Sequence, residues 1–334
     1  MSENSVVKNL VIDGYIKIDT LLNGYYHSFS PLCSRSFAVP INCISFVNIT
    51  INSRAASISG MIFPRISVPS SNPDTNMKNC INAGNIVVSD ASQVSGLSVL
   101  SQPAKIFNCL NLGNLSNNSP YGRPVHGISD GTTYLAKTIN CINAGFTNNA
   151  TSGQLMGIVN GGTVQKCLTI GVCLANSPSR ASGISRQAEV STTSNYYDRQ
   201  MCPYGGINGV DVAGQAEGKL TTNGTLTGTA LQSILGTDDW VYEDSMYPRL
   251  KCFDTMTASD AYRKEGYDGA SPVFLHIEDD ANYDKHNSVT HCFKVSMKHG
   301  VTWESANGRV SIDADGNVAL LSLGWDTLTC WIMT

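Results

Sequence analysis

A six-residue pattern recurs along the first two hundred residues and limits the folds that this chain can adopt. Its clearest copies read Asn-Cys-Ile-Asn-Ala-Gly, Asn-Cys-Leu-Asn-Leu-Gly and again Asn-Cys-Ile-Asn-Ala-Gly. Looser copies bring the number of units to seven, starting about 30 residues apart at Asn9, Asn42, Asn79, Asn108, Asn140, Lys166 and Asn195. A unit of this size cannot bury its own apolar face, so neighbouring units must stack on one another.

A second mark keeps a nearly constant distance from the first. A glycine followed by an apolar residue lies 16 to 18 positions after the cysteine, at Gly60-Met61, Gly96-Leu97, Gly127-Ile128, Gly157-Ile158 and Gly183-Ile184. Helix signals are almost absent from this part, whereas its Asn, Ser, Gly, Ile, Val and Cys residues suit short strands separated by turns. The predicted fold class is therefore all-β: a parallel β-helix, or solenoid, of about seven coils. At about 4.8 Å per coil the rod would be roughly 34 Å long.

Strand periodicity assigns the repeated positions to an inside and an outside. Residues of the same parity face the same side of a strand, so the cysteine and the residue six positions later are predicted to point inwards. The later residues are Ile16, Ile49, Ile86, Leu115, Thr147 and Cys173. The glycine between them is predicted at a corner with positive φ, and Val47, which replaces it in the second unit, predicts a distorted corner. Asn79, Asn108 and Asn140 are predicted to form a polar ladder, with each amide bonded to the coils above and below.

The cysteines are interpreted as structural. Cys43, Cys80, Cys109, Cys141 and Cys167 occupy one slot of successive units, which Leu10 and Tyr196 fill in the outer units. Exchange with Leu and Tyr is typical of a small buried hydrophobic residue. Parallel side chains give poor disulfide geometry, and the chain has no Cys-x-x-Cys pair of the kind that binds zinc. We predict a ladder of buried thiols, with scattered disulfides as the alternative, and neither a metal site nor a cofactor site.

Composition divides the chain into three parts. Residues 1–200 carry 13 Lys or Arg and 8 Asp or Glu, whereas residues 201–334 carry 9 and 18 and all four tryptophans. We assign 1–200 to the β-solenoid and 201–252 to a Gly-rich loop and capping segment with one short helix ending at Gly236. Trp240 and its apolar neighbours are expected to cover the open end of the last coil. Residues 253–334 are predicted to form a linker and a small immunoglobulin-like β-sandwich, because short alternating segments follow one another there.

These motifs resemble known families. The Asn-Cys-Ile-Asn-Ala-Gly units followed by Gly-Ile resemble the GLUG repeats of bacterial surface proteins, which are thought to form β-helices. The stretch 195–202, continued by Trp240 and 247–250, looks like the segment that closes such arrays. The tail, with 300–305, 310–318 and Gly324, is similar to the bacterial immunoglobulin-like domain, group 2, except that Trp325 stands where a small residue is usual. The resemblance implies a protein that is secreted or displayed on a cell surface for adhesion, and it carries no catalytic residues with it.

Charge and hydropathy narrow the classes of partner. A net charge of −4 and a pI near 5.8 leave no general basic field, so no nucleic-acid partner is predicted. The longest uncharged stretch, 138–165, is interrupted by Asn, Gly and Thr, so no transmembrane segment is predicted. Residues 1–17 lack the basic start and apolar core of a secretory signal peptide. We expect a non-enzymatic protein that binds a glycan or a surface protein through its rod; the oligomeric state stays open.

Two other functions are alternatives. A β-helix polysaccharide lyase or hydrolase would need converging carboxylates and a basic residue, for which the candidates are Asp90, Asp130, Arg123, Arg180 and Arg186. Their sequence context favours the interpretation that these five residues are solvated charges in loops. A structural spacer within a larger surface assembly is the other alternative. In the tail, four histidines lack the spacing of metal ligands, and the acidic run is interpreted as a connection rather than a calcium loop; these residues are His276, His286, His291, His299, Glu278, Asp279, Asp280 and Asp284.

Overall fold

The structure is a computed structural model. It describes residues 6–19, 28–34, 39–63, 76–99, 105–131, 136–187, 192–219, 226–242, 248–254, 275–277, 293–295, 301–308, 310–312, 317–320 and 328–332.

Short strands make up most of the repeat region and the run that follows it. In chain order they are β1 (Val6–Lys8), β2 (Val11–Ile12), β3 (Tyr15–Ile18), β4 (Cys33–Ser34), β5 (Val39–Ile41), β6 (Ile44–Ser45), β7 (Asn48–Ser59), β8 (Ile62–Phe63), β9 (Asn76–Lys78), β10 (Ile81–Asn82), β11 (Ile86–Ser95), β12 (Lys105–Phe107), β13 (Leu110–Asn111), β14 (Leu115–Asn117), β15 (Val125–His126), β16 (Lys137–Ile139), β17 (Ile142–Asn143), β18 (Thr147–Asn149), β19 (Leu155–Met156), β20 (Thr163–Gln165), β21 (Leu168–Thr169), β22 (Cys173–Ala175), β23 (Ala181–Ser182), β24 (Asn195–Asp198) and β25 (Ala216–Lys219).

The remaining elements are fewer. The strands are β26 (Trp240–Val241), β27 (Arg249–Leu250), β28 (Leu275–Ile277), β29 (Phe293–Val295), β30 (Val301–Ser305), β31 (Val310–Ile312), β32 (Asn317–Leu320) and β33 (Leu328–Ile332). Two single-turn helices are α1 (Gln232–Leu235) and α2 (Lys251–Asp254), and 3₁₀ turns cover Pro178–Arg180 and Gly228–Leu231.

Strands from the repeats pair in parallel to form three large sheets and the two-stranded sheet β4-β8. Sheet A has the order β1-β5-β9-β12-β16-β20, and sheet B has the order β2-β6-β10-β13-β17-β21-β24-β25. Sheet C has two arms, β3-β7-β11-β14-β18-β22 and β7-β11-β15-β19-β23, because the long strands β7 and β11 run through both. The prediction of an all-β fold with parallel strands is therefore confirmed.

The pairing register joins equivalent positions of successive repeats. In sheet B the residue after the repeated cysteine pairs in the order Val11, Ile44, Ile81, Leu110, Ile142, Leu168 and Tyr196. Contrary to the prediction, Asn195 rather than Tyr196 therefore fills the cysteine slot of the last repeat. In the first arm of sheet C the pairs run through Ile16, Ile49, Ile86, Leu115, Thr147 and Cys173. All of these except Ile16 are buried in sheet C, so the position six residues after the cysteine lies in the interior.

The corner with positive φ differs from the expectation, because it falls on the asparagine rather than on the glycine. Asn9, Asn42, Asn79, Asn108 and Asn140 have φ between 51° and 55°, and Lys166 and Ser194 take the same conformation in the last two repeats. Asparagine tolerates the left-handed region better than most residues. The repeated glycine is needed for another reason, which is space.

Glycine carbonyls of adjacent repeats lie almost against the α-carbons above them. A Cβ on Gly113 would stand 2.0 Å from the carbonyl oxygen of Gly84, and one on Gly145 would stand 2.1 Å from that of Gly113. The second glycine mark stacks in the same way: a Cβ on Gly96 would lie 2.1 Å from the Gly127 oxygen. Both glycine columns therefore mark the closest backbone contacts between repeats.

The corner at Val47 departs from the others in its hydrogen bonds. In later repeats two consecutive backbone amides donate to the same carbonyl of the preceding repeat. For example, the amides of Leu112 and Gly113 both donate to the carbonyl of Asn82. At Val47 the amide instead donates to the Ser45 hydroxyl, and the next amide donates to the carbonyl of Gly14, whose φ is +130°. A glycine one repeat below thus accommodates the bulkier residue.

Residues 226–242 and 248–254 lie along a flank of the repeats and not over an end, contrary to the expected cap. The residues after each cysteine face away from the interior, because adjacent strand residues point to opposite sides. Trp240, Leu231, Leu235, Leu250 and Phe253 pack in one buried cluster with this outward stripe of Ile44, Ile81, Leu110, Ile142 and Leu168. Direct contacts tie Asp239 to Lys78 and Asn108, and Leu235 to Asn140.

The Gly-rich run 201–219, interpreted as a loop, adds a further layer at the last repeat. The amides of Gly183 and Ile184 donate to the carbonyls of Gly205 and Gly206, and β25 extends sheet B beyond β24. Cys202, Tyr204, Ile207 and Ala216 belong to the interior cluster. This run therefore covers the interior where the sequence analysis placed Trp240.

In the tail, short strands lie in the region where short alternating segments were predicted. β28, β29, β32 and β31 form one antiparallel sheet, and β30 pairs antiparallel with β33.

Replacing Gly113 with Ala is expected to destabilise the protein by about 3 kcal/mol, because a methyl group would overlap a backbone carbonyl that cannot move alone. Gly161→Ala is the matched control: its nearest neighbour is the flexible Gln187 side chain at 3.3 Å, and it should change stability by less than about 1 kcal/mol. Chemical denaturation measures both. Equal effects would contradict the close backbone contact.

Candidate functional site

The five predicted ladder cysteines are all buried. Cys43, Cys80, Cys109, Cys141 and Cys167 have no exposed surface, and each thiol donates to the carbonyl two residues earlier at 3.2 to 3.3 Å. Burial raises the pKa of Cys80 and of Cys141, and neighbouring thiols raise both further. The hydrogen bond with Cys80 lowers the pKa of Cys43 to about 7, and at Cys109 hydrogen bonds from the neighbouring thiols outweigh burial and lower the pKa. Every cysteine of the described part that has a described side chain is a free thiol. The geometry favours packing over thiolate chemistry.

The predicted corner ladder of asparagines is interrupted. The Asn79 amide donates to the Asn42 side-chain oxygen at 3.1 Å, and the Asn42 amide donates to that of Asn9 at 3.1 Å. The next two corners turn to the flanking segment instead. The Asn108 amide donates to the Asp239 carboxylate at 2.5 Å, and the Asn140 amide donates to the Leu235 carbonyl at 3.2 Å.

A continuous amide ladder lies three residues further along each unit, at the second asparagine, where it was not predicted. The Asn82 amide donates to the Asn111 oxygen at 2.8 Å, and the Asn111 amide donates to the Asn143 oxygen at 2.9 Å. All three side chains are completely buried. The signal was the second Asn of each Asn-Cys-Ile-Asn, which has the parity of the inward cysteine.

This inner ladder explains why the two sequence marks occur together. A Cβ on Gly60, Gly96 or Gly127 would lie within 2.6 Å of the side chain of Asn82, Asn111 or Asn143, respectively. In the next repeat Thr169 replaces the asparagine and faces Gly157. The amides occupy the volume that the second glycine column leaves free, so each mark requires the other.

An exposed, amide-rich surface covers the first arm of sheet C, and we call it the amide face. Its strands alternate buried apolar residues with outward polar ones. The outward asparagines are Asn48, Asn52, Asn85, Asn114, Asn118, Asn148 and Asn176. Tyr15, which is 81% exposed, and Val87 and Leu174, which are each more than 40% exposed, add apolar surface to the same face.

Three of these asparagines are held in a fixed orientation by the repeat above. The backbone amides of Asn85, Asn114 and Phe146 donate to the side-chain oxygens of Asn48, Asn85 and Asn114 at 2.9 to 3.2 Å. Their oxygen atoms are thus engaged, while the side-chain NH₂ groups make no hydrogen bond within the part of the chain that the structure describes. A row of oriented donors about 4.8 Å apart results. Such a row suits a ligand with regularly spaced oxygen acceptors.

At the edge of the amide face, a charged and aromatic cluster marks the corner of β11. The Asp90 carboxylate accepts from the Ser119 hydroxyl at 2.6 Å and lies 3.6 Å from the Arg54 side chain. The Arg54 guanidinium lies 5.5 Å from the centre of the Tyr121 ring, which is 64% exposed. The cluster presents a flat aromatic surface beside polar groups, an arrangement that fits a partner with both apolar and hydroxyl faces.

The other acidic candidate, Asp130, is buried. Its carboxylate is 3.6 Å from Nε2 of His126, whose Nδ1 is 3.3 Å from the Ser95 hydroxyl. His126 is fully buried, and burial lowers its pKa to about 3. Imidazole, hydroxyl and carboxylate thus adjoin, but the ring and the hydroxyl are closed off from solvent. The sequence analysis did not single out His126.

The basic candidates do not gather around these acids in the described residues. Arg180 donates to the Ser152 carbonyl at 3.2 Å, Arg186 is exposed, and Asp90 pairs with Arg54 rather than with Arg123. Glu278, Asp279, Asp280, Asp284, His286, His291 and His299 lie outside the described residues, as does the side chain of His276.

A carboxylate organises the last layer of the repeats. Asp211 accepts from the Tyr197 hydroxyl at 2.7 Å, from Arg199 at 2.5 Å and from the amide of Gly206 at 3.1 Å. Burial by itself would raise the pKa of Asp211, but these hydrogen bonds outweigh it and lower the pKa. Burial and the bond to Asp211 raise the pKa of Tyr197. These contacts indicate that Asp211 has a structural role.

Comparisons with protein-family models, with curated proteins and with solved structures find no match to this chain. Within the described ranges, no three His, Cys, Asp or Glu side chains are grouped so as to hold a metal ion, and no helix is long and apolar enough to cross a bilayer.

Asn111→Asp is expected to cost about 3 kcal/mol of stability at pH 7, because a buried carboxylate replaces an amide that donates to Asn143. Burial raises the pKa of such a carboxyl above its unfolded value, so the cost should shrink as the pH falls. Asn114→Asp, on the exposed face, is the control and should cost less than about 1 kcal/mol, since it needs only the oxygen acceptor. Denaturation between pH 4 and 7 measures both; a pH-independent cost would count against a buried ladder.

Asp211→Asn is expected to lower stability at neutral pH by about 1 to 2 kcal/mol, because it weakens bonds to Tyr197 and Arg199. The folded pKa of Asp211 lies below its unfolded value. Its contribution is therefore complete above the unfolded pKa of about 4 and is lost as the pH falls through the folded pKa. The difference between the wild type and Asp211→Asn should disappear in acid. A difference that persists at pH 2 would contradict this account.

Proposed function

We propose that this chain is a non-enzymatic repeat protein of a bacterial cell surface, in which a β-solenoid presents the amide face to a glycan. In this proposal the seven repeats are successive coils, and the antiparallel strands of the tail belong to an immunoglobulin-like β-sandwich. The copy-to-copy register of sheets A, B and C and the antiparallel pairing of the tail support that architecture. The resemblance to surface repeats and to the group 2 immunoglobulin-like domain supports the location.

The observation that carries the proposal is the row of oriented amide donors on an exposed, regular surface. Sugar chains offer hydroxyl and ring oxygens along their length, and Asn side chains can meet both donors and acceptors. Because backbone amides already fix Asn48, Asn85 and Asn114, binding would cost little side-chain entropy. The exposed ring of Tyr121 and the half-exposed Val87 and Leu174 would contact the apolar faces of the sugars.

The large polar surface also argues for a weak, extended contact. Individual hydrogen bonds in water contribute only about 0.5 to 1.5 kcal/mol. Affinity would therefore arise from several repeats binding one polymer, as expected for multivalent recognition. An oligosaccharide too short to span several repeats should bind poorly.

Ser116→Arg tests the amide face directly. Ser116 points outwards between Asn114 and Asn118, so an arginine there would obstruct a bound chain without entering the interior. On a glycan array and in a cell-binding assay, we expect at least a tenfold loss. Ser179→Arg, on an exposed 3₁₀ turn, is the matched control and should bind as the wild type does.

Two outcomes would overturn the proposal. If the folded wild-type chain binds no glycan, a spacer role is favoured instead. If both arginine variants bind equally well, the amide face is not the binding surface.

A further inference from the structure

A second exposed surface, on sheet A, carries the opposite chemical character to the amide face. Its inward residues Met77, Ile106, Thr138 and Val164 are buried in the interior. The alternate residues therefore point outwards, and among them are Lys78, Lys105, Phe107, Lys137 and Ile139. We call these five residues, together with Lys166 at the adjoining corner, the lysine face.

The lysine face provides one ammonium group at each of four successive strands of sheet A: on β9, β12 and β16, and directly after β20. Lys105 and Lys137 are directly paired in neighbouring strands, about 4.8 Å apart at their α-carbons. Like charges that face each other across a strand pair repel. No carboxylate of the described residues lies within 4 Å of either amine, and the residues just before them, 100–104 and 132–135, contain no Asp or Glu. Two stacked, uncompensated lysines are a site for an anion.

Two neighbours extend this charge. Lys78, one repeat earlier, is shared between Asp239 at 3.4 Å and the Phe107 ring at 5.8 Å. Lys166, one repeat later, occupies the left-handed corner at which five other repeats have asparagine, with φ 54°. The same conformation recurs at this corner in all seven repeats, so it belongs to the fold. Lys166 is exposed, so the charge continues along the stack.

Apolar groups alternate with the ammonium groups on the same face. Phe107 lies two residues from Lys105 on β12, and Ile139 lies two residues from Lys137 on β16; both are half-buried. Each of these strands thus offers a cation and an apolar contact side by side. A sugar ring that bears a carboxylate has the two complementary features, an anion and an apolar face.

We propose that the lysine face binds a linear acidic polysaccharide whose carboxylates lie along Lys105, Lys137 and Lys166, with its sugar rings against Phe107 and Ile139. The lysines complement any polyanion, and the half-buried Phe107 and Ile139 add contacts for the apolar faces of sugar rings. Planar, bidentate recognition of phosphate favours arginine over lysine, and the described lysine face contains no arginine. The site is separate from the amide face and does not depend on the function proposed for that face.

Binding of the full chain to polygalacturonate tests the proposal. We expect the affinity to fall with increasing salt, and fully methyl-esterified polygalacturonate to bind at least tenfold more weakly. Lys105→Gln/Lys137→Gln should also lose at least tenfold. The charge-matched control Arg180→Gln/Arg186→Gln, at exposed basic residues on either side of β23, should stay within twofold of the wild type.

Additional variants and ligands distinguish loss of the lysine site from misfolding and from binding at the amide face. The single variant Lys137→Gln, at the more exposed site, should still lose about threefold, which covers the case that the double variant does not fold. Ser116→Arg should bind polygalacturonate normally, whatever its effect on the amide face. The proposal is overturned if the ester binds as tightly as the acid, if the control pair loses as much as the test pair, or if single-stranded RNA homopolymer binds more tightly than polygalacturonate.

Discussion

The closest contacts in this protein are between backbones, and the rest of the structure depends on them. Two columns of glycine bring the carbonyl of one repeat to about 2 Å from where the Cβ of its neighbour would stand. This approach leaves an interior in which thiols, amides and single aliphatic side chains fill the space. The buried asparagines Asn82, Asn111 and Asn143 fit against the second glycine column and bond to one another. Their mutual hydrogen bonds offset the desolvation that burial of an amide would otherwise cost.

The same regularity produces the surfaces. Since every strand of a sheet holds equivalent residues in register, a single outward position becomes a row along the stack. One such row is apolar and is covered by residues of 226–242 and 248–254; another holds oriented amides; a third holds lysines. The chain folds back on the covered row and buries its apolar side chains. The two polar rows remain exposed to solvent, and for this reason we propose ligands for them.

Much of this could be inferred from the repeat. Its spacing predicted parallel strands, and its parity placed Ile86 and Leu115 inside, where the structure has them. The glycine was predicted to supply the positive φ of the corner, and this was wrong. Asparagine has the left-handed conformation, and the glycine is required because a side chain would collide with the backbone of the next repeat. A sequence shows that a small residue is required but not whether dihedral angle or contact requires it. The inner amides were missed because a polar residue next to an apolar one is usually assigned to the surface.

The sequence by itself determined that the units repeat, that they must stack, and which residues share a side of each strand, because these follow from period and parity alone. Only the tertiary structure decided what covers the outward stripe, what closes the last layer, and which polar side chains become neighbours. Trp240 lies on the flank, while the Gly-rich run layers over the final repeat. The physical reason is that an apolar stripe and an open end both demand burial, and the path of the chain, which local sequence does not encode, assigns each segment to one of them.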